Sequence, residues 1–405
     1  MRVFLNGWTD KESGLFDVAV RLKESGHQII YWIAFDILKD VDVSKFPGTI
    51  FHDSSDALQA EPAPGVDISD FLPVGAELAK EFYETEITVL TMMNKKYERL
   101  STDERKHIYY SLLSYWLGTL KKYRPDAIIF QLLPHSVYDY VLYEAAKKLN
   151  IKTLLFKVTI LDDRVFLVGD YKIYPSLTDS HLASAGNFRI KDLSQDIQES
   201  YLRFRGDGSN SQNAHIYVRN MLRAHSGWNL IRKKIEVGLG GFRDFSVFKK
   251  LFQLLRRQWQ INPRTEYLRA QSSVDWNKKF VYVSLNYQPE CTTSPQGGTF
   301  VDQILMIEIL SSVLPDGWMI YVKEHPMQWV RRGWAYFSYR YPGYYQKIAG
   351  LNNVKLVPIE TNGFELIKNC VAVVNVTGSS AFEAVLRLKP ALMFGYEWFQ
   401  NCPGI

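Results

Sequence analysis

Three stretches in the last third of the chain gather residues that bind anions or handle protons. The first, "NYQPECTTSPQGG" (286–298), sets Glu290 behind Gln288 and a proline and follows it with Thr292, Thr293 and Ser294. A carboxylate there can serve as base or nucleophile, or hold a hydroxyl. Its plainer reading is a turn or helix cap. In the second, "IYVKEHPMQ" (320–328), an apolar run stops at Lys323, Glu324, His325 and Pro326. Lys323 and His325 can both donate to a phosphate, and Pro326 ends the strand and fixes the turn. A lone histidine is equally read as structural. The third, "VNVTGSSAFEAV" (374–385), is a strand, a small-residue turn (Thr377, Gly378, Ser379, Ser380) and a helix expected to open with Glu383 in its first turn. Amide donors and hydroxyls suit an anion there. Ser380 as N-cap with Glu383 completing a capping box is the alternative.

The first half of the chain ends two apolar runs in polar residues. "DAIIFQLLPH" finishes at His135, and "KTLLFKVTIL" is followed by Asp162, Asp163 and Arg164. Two carboxyls flanking a glycosidic centre are what acid/base or double-displacement sugar chemistry requires. Neighbouring strand residues face opposite ways, so only one of Asp162 and Asp163 can enter a given site.

Strands alternating with helices must position these residues. "RVFLNG", a helical pattern and "QIIYWIAF" open a β-α-β unit, residues 76–123 read as helical, and the two runs above add strands. A new series begins at "KKFVYVSLNYQPE" and continues through "GWMIYVKEHP", "VKLVP", "VAVVNVTGSS" and "PALMFG", with helices between them. This alternation implies parallel sheets covered on both faces. The expected fold is α/β and GT-B-like, with two Rossmann-like domains facing across a cleft. An N-terminal acceptor-side domain (1–189) and a C-terminal nucleotide-sugar domain (275–405) flank a helical basic insertion (190–274). Ligands of open parallel sheets sit beyond the carboxyl ends of strands, which selects the three motifs together.

Charge is concentrated in that insertion. Residues 215–270 hold twelve Lys/Arg against three acids, +9, so the rest of the chain carries −4 of the total +5. Basic helices with Trp228, Phe245 and Phe248 suit an anionic membrane surface. They equally suit a helix pair with a buried stripe and a solvated basic face. No recognition motif accompanies the charge, so nucleic acid is not expected.

The three cysteines are scattered, without metal-ligand grouping, and "MRVFLNGWTD" is not a signal peptide. No apolar stretch is long enough to span a membrane. A reduced, cytoplasmic protein needing neither metal nor cofactor is expected, and the ending "EWFQNCPGI" suggests that the natural chain continues.

The motif series "SLNYQPECTTSPQGG", "GWMIYVKEHPMQ", "NVKLVP" and "VTGSSAFEAVLRLKPALMFGYEWF" closely resembles the capsule polysaccharide biosynthesis family, which includes retaining β-Kdo transferases. Residues 280–405 resemble it well and 125–165 moderately. The resemblance implies a GT-B transferase that takes a CMP-activated sugar, typically CMP-Kdo, without a metal, to a saccharide or glycolipid acceptor. The His-Pro motif is similar to that of bacterial sialyltransferases. By that likeness Lys323 and His325, with Pro326, hold CMP. Thr377, Gly378, Ser379 and Ser380 meet its phosphate, and Glu383 its ribose. Glu290 would be the nucleophile, where the family often has Asp. Asp162 or Asp163 would be the acid/base, with His135, Gln288, Thr292 and Thr293 near the sugars. The activity implied lies in capsule or O-antigen synthesis at the inner face of the inner membrane. A CDP-glycerol or UDP-sugar transferase, or a non-catalytic assembly subunit, are the competing readings.

Overall fold

The computed structural model describes residues 1–8, 14–37, 41–97, 100–161, 164–174, 189–206, 263–288, 292–329 and 340–405. Glu290, Asp162, Asp163 and the basic stretch 215–262 lie outside them. The chain folds as two compact units, and each holds one sheet. Unit 1 is Met1–Ser176 with Pro289–Val301 and Tyr396–Trp398, and unit 2 is Leu177–Gln288, Asp302–Gly395 and Phe399–Ile405. Two short excursions of the C-terminal half, one carrying Thr292 and Thr293, thus belong to unit 1.

Unit 1 strings together β1 (Arg2–Asn6), α1 (Leu15–Glu24), β2 (Gln28–Ala34), β3 (Ile50–Asp53), α2 (Thr102–Tyr123), β4 (Ala127–Phe130), α3 (Val137–Lys148), β5 (Lys152–Val158) and β6 (Val165–Val168). The sheet order is β3-β2-β1-β4-β5-β6, parallel except for the final antiparallel strand. The strands are apolar on both faces because both are covered. Val3, Leu5 and Trp32 pack on the α1 side, while Phe4, Tyr31 and Ile128 pack on the α2 and α3 side. Much of the aromatic surplus goes here, with Trp8, Trp32 and Trp116 among the buried rings. A capping box starts α2: Ser101 Oγ accepts from Glu104 N, and Glu104 Oε2 accepts from Ser101 N.

Two strands escape the sequence pattern. β3 has only four residues, and β6 returns from β5 as a hairpin. β5 ends at Val158, paired with Val165, rather than at Leu161. Asp162 and Asp163, read from the sequence as ending that strand, lie outside the described residues.

Unit 2 contains α4 (Pro263–Ala270), β7 (Phe280–Ser284), α5 (Gln303–Val313), β8 (Met319–Lys323), α6 (Tyr344–Ala349), β9 (Val354–Leu356), α7 (Gly363–Asn369), β10 (Ala372–Asn375), α8 (Ser379–Leu386) and β11 (Ala391–Met393). Its sheet, β11-β10-β7-β8-β9, is parallel throughout. The expected α/β class holds in both units, each a doubly wound sheet.

Candidate active site

β10, β7 and β8 are adjacent in the unit 2 sheet, so the turns after them share one edge. The chain winds from β7 outward to β9 and then crosses back to β10. The ends of β7 and β10 therefore form the switch point, where doubly wound sheets bind ligands.

The turn after β8 is held by its least conspicuous residue. Glu324 is 1% exposed. Its carboxylate takes Arg340 Nε at 2.9 Å, Arg340 Nη2 at 3.0 Å and the Tyr345 hydroxyl at 2.6 Å. It also accepts the backbone N–H of His325 at 2.7 Å. Burial works against the Arg340 charge, but Glu324 overrides it and holds the guanidinium well above its usual range. Arg340 also donates to Asn286 O at 3.0 Å and to Gln288 Oε1. One buried ion pair thus joins the turns after β7 and β8. Gln288 is further fixed by a reciprocal pair with Gln328, N to Oε1 at 3.1 Å and Nε2 to O at 3.2 Å. Its carboxamide oxygen is committed to Arg340.

Lys323 and His325 flank this anchor and are both half-buried. Burial lowers the Lys323 ammonium below the usual lysine range, against the pull of Glu360, Glu383 and Glu324. Among the described residues nothing hydrogen-bonds its Nζ. His325 Nδ1 accepts from Met327 N at 3.2 Å. The neutral ring therefore carries its proton on Nε2, as a donor. Pro326, exposed, begins the 3-10 turn Pro326–Trp329.

At the β10 turn, α8 begins at Ser379 behind Gly378, with no side-chain cap. The capping box is not formed, and Glu383 lies in the second turn rather than the first. Its carboxylate instead accepts from Ser379 Oγ at 3.1 Å. Ser380 Oγ is 2.7 Å from Asn375 Nδ2, which also donates to Gly378 O at 2.9 Å. A Cβ on Gly378 would lie 3.2 Å from that nitrogen, so the close turn favours glycine. Asn286 Nδ2 reaches Thr377 Oγ1 at 3.0 Å, tying the β7 and β10 turns together. The Lys323 cation and the uncapped first turn of α8 bring donors to this edge, among the carboxylates of Glu360 and Glu383.

The remaining candidates lie elsewhere. Thr293 is 1% exposed, within unit 1. His135 belongs to unit 1, with Nδ1 donating to Leu133 O at 2.7 Å. Sequence reading passed over Asn286, Glu324, Gln328 and Arg340. Glu324 carried a signal, since a carboxylate inside a strand-end motif is buried only with a partner. Arg340 carried none, because its hydrogen-bond partners Glu324, Asn286 and Gln288 all lie far back in the sequence. Among the described residues no group of three or more His, Cys, Asp or Glu could hold a metal ion. No described helix is long and apolar enough to cross a membrane.

Residues 294–405 match the model of a family described as "Capsule polysaccharide biosynthesis protein". Over that stretch the resemblance read from the motifs is shown. It contains the turns after β8 and β10. No curated protein matches the chain. Among solved structures, the chain is similar to a KpsC β-Kdo 2,7 transferase of Thermosulfurimonas dismutans, at 11% identity and TM-score 0.30, covering 77% of each chain. It is also similar to a KpsC β-Kdo 2,4 transferase of that organism, at 14% identity and TM-score 0.28, covering 68% of this chain and 71% of that one. A UDP-GlcNAc 2-epimerase from Neisseria meningitidis overlaps at 11% identity and TM-score 0.22, covering 97% and 82%. Overlaps this loose carry no functional argument.

Proposed function

We propose that this protein is a glycosyltransferase of capsule or O-antigen synthesis that moves Kdo or a related ulosonic acid from CMP to a saccharide or glycolipid acceptor. The observation that carries this reading is the half-buried Lys323 ammonium beside the donor-rich turns after β8 and β10, within the stretch that matches the capsule family. A CMP leaving group bears one phosphate. Lys323, His325 Nε2 and the first turn of α8 can neutralise it without a divalent ion. Thr377, Ser379 and Glu383 would complete the CMP subsite.

Retention would proceed in two displacements. The Glu290 carboxylate attacks the anomeric carbon as the bond to the phosphate oxygen breaks and CMP leaves. The acceptor hydroxyl then attacks that carbon, its proton passing to a base, and the bond to Glu290 breaks. Asp162 or Asp163 is the proposed base. The basic stretch 215–270 is proposed to rest on the inner face of the inner membrane.

The test is incubation with CMP-Kdo, with and without EDTA, followed by mass spectrometry. Release of CMP and an adduct at Glu290, both insensitive to EDTA, is expected. Thermal shifts with CMP, CDP and UDP address the base. Stabilisation by UDP and none by CMP would transfer the reading to a UDP-sugar donor. No nucleotide binding at all would sink it.

A further inference from the structure

Unit 2 carries a second concavity on the opposite edge of its sheet, where strands begin rather than end. A cavity of about 450 Å³ lies where α5 runs into β8 and α6 runs into β9. β8 and β9 are parallel neighbours, so the two approaches lie side by side. That volume is within the roughly 300–1,000 Å³ of small-molecule sites. The lining includes Ser312, Asp316, Trp318, Leu351, Asn352 and Asn353.

The walls are fixed by contacts that leave two polar side chains uncommitted. Trp318 N donates to Pro315 O at 3.1 Å and closes a turn whose third residue, Gly317, has φ +81°. Glycine takes that left-handed conformation without strain, so one tight turn presents Asp316 and Trp318 together. On the other wall Asn353 is spent: its Oδ1 accepts from Ser311 Oγ at 2.6 Å, and its Nδ2 donates to Ser311 O at 3.1 Å. Ser312 Oγ donates to Ile309 O at 2.8 Å. Asp316 and Asn352 are exposed, and among the described residues neither side chain has a hydrogen-bond partner. Trp318 is half-buried, with Lys279 Nζ 5.8 Å from the ring centroid. Lys279 is not part of the lining, in which Asp316 is the single charged side chain.

An aromatic ring beside a carboxylate and a carboxamide suits a sugar ring. The C–H face of a pyranose is apolar and carries slight positive charge, so it stacks on an indole face. A carboxylate accepts from neighbouring hydroxyls, and a carboxamide both donates and accepts. A phosphate or a sugar acid would instead meet the like charge of Asp316. We propose that this cavity binds an uncharged pyranoside, with its ring on Trp318 and its hydroxyls on Asp316 and Asn352. The site is separate from the donor edge, and the proposal does not rest on the proposed transfer. A crevice between two helix ends that holds only water is the competing account. It explains the bonds of Asn353 to Ser311, but gives Asp316 and Asn352 no task.

Saturation-transfer NMR on the full chain decides between them, with methyl glucoside, methyl N-acetylglucosaminide and methyl glucuronide as probes. The two uncharged glycosides are expected to bind in the millimolar range, and the glucuronide more weakly. Asp316→Ala and Asn352→Ala should each weaken binding about tenfold, the loss of roughly one good hydrogen bond. Trp318→Leu should weaken it at least as much. If Trp318→Leu does not fold, the two exposed positions carry the test. Binding of the uncharged glycosides should persist in saturating CMP, whatever CMP itself does. Displacement by CMP would put the sugars at the nucleotide edge and overturn the proposal. Wild-type protein that binds neither uncharged glycoside would leave the cavity to water and overturn it. Asp316→Ala and Asn352→Ala proteins that bind as wild type does would overturn it too, as would a glucuronide that binds more tightly than the glucoside.

Discussion

The two units wind their sheets identically. Read outward, β3-β2-β1-β4-β5 in unit 1 corresponds to β9-β8-β7-β10-β11 in unit 2. The chemistry at the two switch points differs. In unit 2 the turn after β7 is polar and satisfied: Asn286 gives Nδ2 to Thr377 and takes Val376 N on Oδ1 at 3.3 Å. Glu324 is wholly paired, and the Lys323 ammonium stands beside it, pulled by Glu360 and Glu383. In unit 1 Asn6 and Asp139 each keep a buried oxygen without a partner, as Asn375 Oδ1 does at the end of β10.

Four perturbations break or sharpen that contrast. The largest effect is expected from Glu290→Gln, which removes the proposed nucleophile. Turnover with CMP-Kdo should fall at least about a thousandfold, while CMP affinity stays level. Loss of CMP binding instead would move Glu290 into the nucleotide site. Next comes Glu324→Ala, which leaves the Arg340 charge buried and uncompensated. Urea titration should show a loss of about 3–5 kcal/mol. A near-neutral result would mean that Arg340 reaches water unaided.

Lys323→Ala should weaken CMP binding roughly tenfold by calorimetry, with a shallower salt dependence and unchanged stability in the absence of nucleotide. Equal CMP affinity in the variant would remove Lys323 from the phosphate site. The last perturbation concerns Asp139. Its folded-state value lies above its unfolded one, so the native state holds a proton that the unfolded chain releases above the ordinary aspartate range. The stability associated with that proton is fully present below about pH 4 and drains away up to about pH 8. Asp139→Asn should flatten this decline, so its denaturation midpoint should gain on wild type between pH 5 and pH 8. Parallel curves would show that the carboxyl is already solvated.

Much of this was legible in the residues. Continuous apolar runs such as "FVYVS" and "AIIF" become buried parallel strands because a doubly wound sheet hides both faces of each strand. The ends of those runs marked where charge must collect, and the turns at Lys323–Pro326 and Thr377–Ser380 do share an edge. Illegible were the elements set by partners far along the chain. β6 forms by pairing with β5, and Arg340 hydrogen-bonds Glu324 and the turn after β7 from far along the chain. Asp139, inside the helical "VYDYV", looks like any solvated acid until packing buries it. Glu383 was misplaced by a turn because Asn375 engages Ser380, letting α8 start earlier.

The excursions Pro289–Val301 and Tyr396–Trp398 bear on how the gene can be cut. Lys157, on β5, is buried and pairs with Glu397, and Gln296 lies 3.4 Å from its ammonium. Both partners come from the stretch that matches the capsule family. An excised C-terminal half would carry Glu397 without its cation, and an N-terminal half would bury a lysine with no counter-ion. Chimeras that exchange halves at a single junction near residue 275 would therefore have to match this trio across parents. The two sheets repeat one plan, but they are not interchangeable modules.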